Sequence, residues 1–309
     1  MTFVVGCAPD ETATPALDLA AMLARSAGED LVAAVVVPEP WVPGMARVDA
    51  EYQQFLGEQA DAALEAARHG LPEDVPARFV PHRARSVPAG LMELVEEYDA
   101  QVLVCGSSAA GALGHVAFGS VTDHLLHSSA RVLALAPRGY RSGAARVSRV
   151  TASYGGAEPT EDLVLGAAGV AARVGASLRL ASFAVRPVAT ISAGIGSRAE
   201  TAVVEQWSRR IEEQARDTMA KVDDLPQPPL VEPSTIGRGT TWAAALDDVE
   251  WTDGDVLVVG SSRYGPVAQV FLGSRAAKIV RHSPVPVVVV PRGRQVVLAA
   301  EAQRAGASA

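Results

Sequence analysis

The sequence predicts an α/β protein made of two tandem, doubly wound parallel-sheet domains, and three observations carry that prediction. First, VLVCGSSAAGALGHVAFGS at 102–120 returns as VLVVGSSRYGPVAQVFLGS at 256–274, an offset of 154 residues that continues through Ser129 and Ser283 to Pro137-Arg138-Gly139 and Pro291-Arg292-Gly293. Second, the opening parts of the two copies align at an offset of 147, with Gly28 on Gly175, Leu31 on Leu178 and Pro40 on Pro187. The difference of seven residues therefore falls in the middle of each unit, where a variable loop belongs. Third, the apolar runs Val102–Cys105 and Val256–Val259 do not alternate with polar residues, as expected of strands covered on both faces. The units are read as residues 1–140 and 147–293, with a linker at 141–146 and a C-terminal tail at 294–309.

In the first unit, Phe3–Cys7 is the first strand, and Pro15–Ala27 carries Leu17, Ala20, Ala21, Leu23 and Ala24 at helical spacing before Gly28 ends it. Leu31–Val37 is the second strand. After breaks at Pro38, Pro40 and Pro43, the amphipathic stretch Val48–Ala67 is a helix. A short strand around Arg78–Val80, a helix over Val87–Tyr98, the repeated motif and a last strand at Val132–Ala136 complete the unit. The second unit repeats the series: Val147–Tyr154, Asp162–Val174, Ser177–Val185, Ala199–Val222, a strand near Leu230–Glu232, Trp242–Val249, Val256–Val259, Ser274–Arg281 and Val285–Val290. Strands alternating with helices give a parallel sheet with helices on both faces, whose ligands sit beyond the carboxyl ends of the strands.

Composition narrows the function classes. With 49% hydrophobic and 20% charged residues in 309, the chain has material for two cores and is not a disordered polymer. A net charge of −8 gives no general attraction to nucleic acid or to an anionic membrane. The start MTFVVGCAPD has no basic segment before its apolar run, and no apolar stretch reaches the length of a membrane span. A cytoplasmic protein without nucleic-acid or membrane partners is expected.

In each copy a buried strand ends in Gly-Ser, crosses a loop and meets a second Gly-Ser that opens a helix: Gly106, Ser107, Gly119 and Ser120 in the first, Gly260, Ser261, Gly273 and Ser274 in the second. Glycine there permits positive φ and close backbone approach, and the serine caps a helix whose free N–H groups face an anion. Read without a ligand, the same residues are a turn and a cap. The duplicated motif resembles that of the universal stress proteins, and the likeness covers nearly all of residues 1–293. The resemblance implies two domains of the adenine-nucleotide alpha-hydrolase-like class, each with strand order 3-2-1-4-5, that pair through their last strands into an intramolecular pseudo-dimer. It implies an adenine nucleotide, ATP with magnesium, as the ligand, and a stress-response protein that acts by binding. A nucleotide-free scaffold and a slow ATPase are the alternatives; further homodimers and unidentified protein partners are compatible with all three.

The match has two departures. The family's ATP-binding pattern is Gly, two residues, Gly, nine residues, Gly, then Ser or Thr; its middle glycine falls on Ala109 and Arg263. If that position needs φ > 0, the cost is about 1–2 kcal/mol or the loop takes another path, with Gly111 and Gly265 available for a rerouted turn. An Arg263 contact to phosphate and a merely solvated Arg263 are both open. The aspartate that such members carry after the first strand is replaced by Ala8 and Gly155, with Asp10 and Glu158 the nearest acids beyond.

No catalytic constellation emerges. His124 and His127, three apart, are read as a wet helix face, and Glu96-Glu97, Glu212-Glu213 and Asp247-Asp248 as solvated faces. Neither Gly-x-Ser-x-Gly nor a Walker lysine is present. In the expected order the first and fourth strands are neighbours, which brings Cys7 and Cys105 to the same strand ends. A redox pair and two inert buried thiols are the competing readings.

Overall fold

The computed structural model describes residues 2–8, 13–39, 46–156, 160–185, 195–261 and 272–305. The first unit runs β1 (Thr2–Gly6), α1 (Ala13–Ala27), β2 (Asp30–Pro38), α2 (Ala46–Gly70), β3 (Ala77–Ala84), α3 (Val87–Glu97), β4 (Ala100–Cys105), α4 (Ser120–Ser128) and β5 (Val132–Leu135). The second runs β6 (Arg149–Ser153), α5 (Thr160–Val174), β7 (Ser177–Val185), α6 (Ile195–Asp223), β8 (Thr235–Gly239), α7 (Trp242–Asp247), β9 (Asp255–Gly260), α8 (Ser274–His282) and β10 (Val287–Val290), and α9 (Arg292–Arg304) follows.

Local chemistry sets the element ends. Gly28 at φ +67° and Gly175 at φ +71° take the left-handed conformation that stops α1 and α5. Ser86 caps α3 by accepting from Ala89 N at 3.3 Å, and Thr241 caps α7 by accepting from Ala244 N at 3.2 Å.

The described strands form one ten-stranded sheet in the order β3-β2-β1-β4-β5-β10-β9-β6-β7-β8. Each half keeps the order 3-2-1-4-5, and β5 pairs antiparallel with β10 at the centre. The other neighbouring pairs are parallel. Helices α1, α2, α5, α6 and α9 cover one face and α3, α4, α7 and α8 the other. Consecutive strand residues alternate between these two cores, Phe3 and Val5 in one and Val4 in the other, which is why the strands read as unbroken apolar runs.

One local feature differs from the sequence reading, and two others add to it. The strand expected near Leu230–Glu232 lies at Thr235–Gly239; residues 230–232 contribute an isolated bridge, with Leu178 N donating to Leu230 O and Glu232 N to Leu178 O. Pro233 has no N–H to continue that ladder, so regular pairing resumes beyond it. The chain between the two units is held along α1: Arg25 donates to Ala145 O at 2.8 Å, Val147 N to Ser26 Oγ at 2.8 Å, and Arg141 reaches Asp18 at 3.3 Å. The tail is a docked helix. On α5, a Cβ added to Gly166 would sit 2.8 Å from Leu298 Cβ, and one on Gly169 would sit 2.6 Å from Ala302 Cβ, so two glycines make the notch in which α9 lies.

A pair of candidate clefts at the strand ends

Both halves open a cleft beyond the carboxyl ends of their parallel strands, at the switch point where a doubly wound sheet binds ligands. The first cleft, about 440 Å³, is floored by Gly6, Cys7 and Ala8 after β1 and by the end of β2, and walled by Gly106, Ser107, Gly119 and Ser120. Its lining among the described residues carries no charged side chain. Gly119 caps α4 with φ −85° and gives no side-chain bond to the first N–H groups, which stay available to an anion. A Cβ at Gly119 would lie 3.4 Å from Ser108 Cβ, so a side chain there would crowd the mouth without breaking the fold. The residues present fit a nucleotide whose phosphates bond to backbone N–H groups.

The cradle residues divide the work. Ser107 is buried, and its hydroxyl donates to Ala136 O at 2.7 Å and accepts from Ala117 N at 3.2 Å, pinning the loop to the chain after β5. Ser120 is exposed at the start of α4. Neither Gly106, Gly119, Gly260 nor Gly273 has a left-handed φ, and neither does Ala109. The strain foreseen at the substituted middle position is absent from the first loop because the loop takes another path. Gly111 N donates back to Ser108 O at 3.2 Å, a Cβ on Gly111 would strike that of Ala117, and the left-handed residue is Gly114 at φ +79°. Arg263 and Gly265, like Asp10 and Glu158, lie outside the described residues.

The second cleft has the same address and different contents. Tyr154 N bonds to Ala181 O at 2.8 Å just as Cys7 N bonds to Ala34 O at 2.8 Å, so Gly155 and Ala8 occupy equivalent places. Gly260, Ser261 and Gly273 line this cleft, about 230 Å³, and exposed Ser274 opens α8 behind the cap Gly273. Three side-chain features set it apart. Ser261 Oγ accepts from Arg292 N at 2.9 Å, which ties the cradle to the start of α9. Buried Gln295, donating to Val290 O at 2.8 Å, stands 2.8 Å from where a Cβ on Gly260 would be. Arg275 fills the position that Val121 holds in the first copy, and its Nη2 donates to Phe183 O at 2.8 Å, bridging α8 to the end of β7. Neither Gln295 nor Arg275 was singled out in the sequence; α4 and α8 share only Ser120 and Ser274 at the aligned positions, so the exchange of Val121 for Arg275 did not stand out.

Cys7, just after β1, and Cys105, the last residue of β4, lie at the same ends of neighbouring strands, as foreseen, and both line the first cleft. Both are free and buried. Burial pushes each thiol up to about 12, against a weaker opposing effect at Cys7 from the backbone at Ala34. Free, buried and raised in pKa, the two thiols favour the inert reading over the redox pair. His124 and His127 are exposed on α4, and among the described residues no group of three or more His, Cys, Asp or Glu is placed to hold a metal. No helix among the described residues is long and apolar enough to cross a membrane.

The description of the universal stress protein family matches this chain twice, over residues 1–134 and 148–291. The chain belongs to the universal stress protein family. Universal stress proteins of Mycobacterium tuberculosis and Mycobacterium bovis are each 39% identical to it over 297 residues, covering 94% of this chain and 100% of the relative. A universal stress protein from Archaeoglobus fulgidus, solved by crystallography, shares the fold with a TM-score of 0.53 at 18% identity, covering 94% of this chain and 98% of its own. For this universal stress protein, the tandem match and the central β5–β10 pairing describe two family units joined in one pseudo-dimer.

Proposed function

We propose that this universal stress protein acts by binding one adenine nucleotide, ATP with magnesium, in the cleft of its first unit (residues 1–140), and that its second unit (147–293) does not hold a nucleotide in the same way. The carrying observation is the contrast between the clefts. The first offers one space of about 440 Å³, Gly119 at the mouth and the uncapped N–H groups of α4, while in the second the space is divided at Arg275, leaving about 230 Å³ over the cradle with Gln295 against Gly260. A phosphate chain laid on the first cradle would take its bonds from the backbone near Gly106 and from Ser120, and the base would lie over Ala8 and the end of β2. Binding without turnover is the favoured mode, because the lining among the described residues supplies neither a carboxylate for a metal nor a general base for water.

The scaffold reading is favoured for the second cleft alone, by the ties of Ser261 to Arg292 and of Gln295 to Val290. Calorimetric titration of the full chain with ATP and magnesium tests both statements. One site per chain is expected, lost in Gly119→Leu and kept in Gly273→Leu. Two sites would overturn the asymmetry. No heat, with no nucleotide carried through native purification, would overturn the nucleotide reading itself.

A further inference from the structure

In the second half a cleft of about 400 Å³ opens beside the cradle, lined by Phe183 at the end of β7, Trp207 of α6, Trp242 of α7, and Ser274, Arg275 and Lys278 of α8. Arg275 stands between the two indoles, its guanidinium carbon 5.9 Å from each ring centroid, and Lys278 Nζ lies 6.0 Å from the ring of Trp242. These distances are at the outer limit of a cation–π contact, so the rings flank the cation without closing on it.

The electrostatics of this cluster are incomplete. Among the described residues neither Arg275 nor Lys278 forms an ion pair, whereas Arg25, Arg149 and Lys221 each do. The contrast appears in their acidities: hydrogen bonds donated to Asp74 and Asp255 raise Arg25 and Arg149, while desolvation lowers Arg275. A guanidinium carries five N–H donors in a planar fork, and among the described residues Arg275 uses one, toward Phe183 O. Its side chain remains open to solvent, as does that of Lys278, so an incoming anion reaches both. Among the described residues no acidic side chain lines the cleft to repel it.

We propose that this cleft is a separate binding site for a small aromatic anion, a flat ring bearing one acidic group, with the acid on the Arg275 fork and Lys278 and the ring against Trp242 and Trp207. The fork suits a planar, two-oxygen acceptor, and the indoles offer flat apolar faces on either side of it. The ring distinguishes this ligand from an inorganic ion, and the Arg275 bridge to Phe183 O distinguishes the site from the nucleotide cleft of the first half. The assignment does not depend on whether that first cleft binds a nucleotide.

The test uses the full chain carrying Gly119→Leu, titrated calorimetrically with 1-naphthoate and phenyl phosphate, which separate carboxylate from phosphate as the acid. Neutral 1-naphthalenemethanol, inorganic phosphate and ATP are the comparisons. One site per chain is expected for at least one aromatic anion, with weaker or no binding of the neutral ring and of phosphate alone. Arg275→Ala should weaken it about tenfold or more, the worth of a charge-assisted hydrogen bond, and Trp242→Leu should weaken it with circular dichroism unchanged. Arg275→Lys, which keeps the charge and loses the fork, should fall between. No binding of either aromatic anion to the folded protein, equal binding of inorganic phosphate, displacement by ATP, or indifference to Arg275→Ala would each overturn the proposal.

Discussion

Ala134 and Val288 are partners across the antiparallel junction and also equivalents in the repeat, 154 residues apart, so the pseudo-twofold axis of the molecule passes between them. Leu133 faces Val289 and Leu135 faces Val287, each pair the mirror of the other under the same offset. Leu133, Ala134, Val287 and Val289 are all at 0% exposure, and Val288 is half-buried. Ala134→Asp would place an unpaired carboxylate there, at a cost of several kcal/mol. Urea unfolding followed by circular dichroism and tryptophan fluorescence should show a large drop in midpoint. A midpoint within error of the parent would mean that the halves do not rely on this contact.

Asp255, fully buried, is held by Arg149 through bonds of 2.8 and 2.6 Å, and Arg149 also reaches Glu232 at 2.8 Å. Removing one member of such a group strands the others in the interior, so Asp255→Ala should destabilise by about 3–5 kcal/mol. The check is the urea midpoint at neutral pH, with Glu73→Ala, exposed in the turn after α2, as a control that stays near the parent.

Acid should loosen the same corner of the molecule. Burial alone would raise Glu232, but the hydrogen bond from Ser177 and the Arg149 guanidinium outweigh it and hold its carboxyl below the ordinary 4.5. A carboxylate with a depressed folded pKa contributes stability above its unfolded pKa and loses it as pH falls through the folded value. Glu232→Gln should therefore be less stable than the parent at neutral pH, with the gap closing below about pH 4. Thermal unfolding across pH 3–7 reads this directly, and a constant gap would contradict it.

The docking of α9 rests on two missing side chains. Gly169→Val would drive a branched side chain into Ala302, at a cost of about 1–3 kcal/mol if the helix stays and an undocked tail if it leaves. Limited proteolysis should then cut the tail near Arg304 and Arg294 sooner than in the parent. An unaltered digestion pattern with an unaltered melting temperature would show that the notch is not needed.

Two buried thiols at about 12 carry hardly any thiolate at neutral pH. Both Cys7 and Cys105 should react slowly with a thiol-specific reagent in the native protein and rapidly in denaturant, two per chain. The count should be the same after exposure to mild oxidant.

Much of this architecture was legible because strands covered on both faces write themselves as apolar runs, and because the chain repeats its own text. The offset of 154 placed the fourth and fifth strands of both halves, and Gly28 and Gly175 marked two helix ends by chemistry alone. The role of α9 was hidden: its alanines form no strong apolar stripe, Val296 and Val297 face solvent, and its seat depends on Gly166 and Gly169 in a helix more than a hundred residues earlier. The strand at Thr235–Gly239 escaped because its Gly237 and Gly239 lie close against α7 and leave no apolar signal. At the clefts, the paired glycines and serines told where to look, but a hydroxyl spent on Ala136 and an arginine leaning on Phe183 O are facts of three dimensions.

Covalent fusion has a consequence for how such a molecule can change. In a dimer of identical chains every substitution is made twice, once on each side of the axis, and a helix appended to the C-terminus would be appended to both. Joining the copies in one chain lets Val121 stand on one side and Arg275 on the other, and lets a single α9 settle on α5. The symmetric partnership at Ala134 and Val288 is thereby kept as a frame, within which two once-equivalent clefts are free to become different instruments.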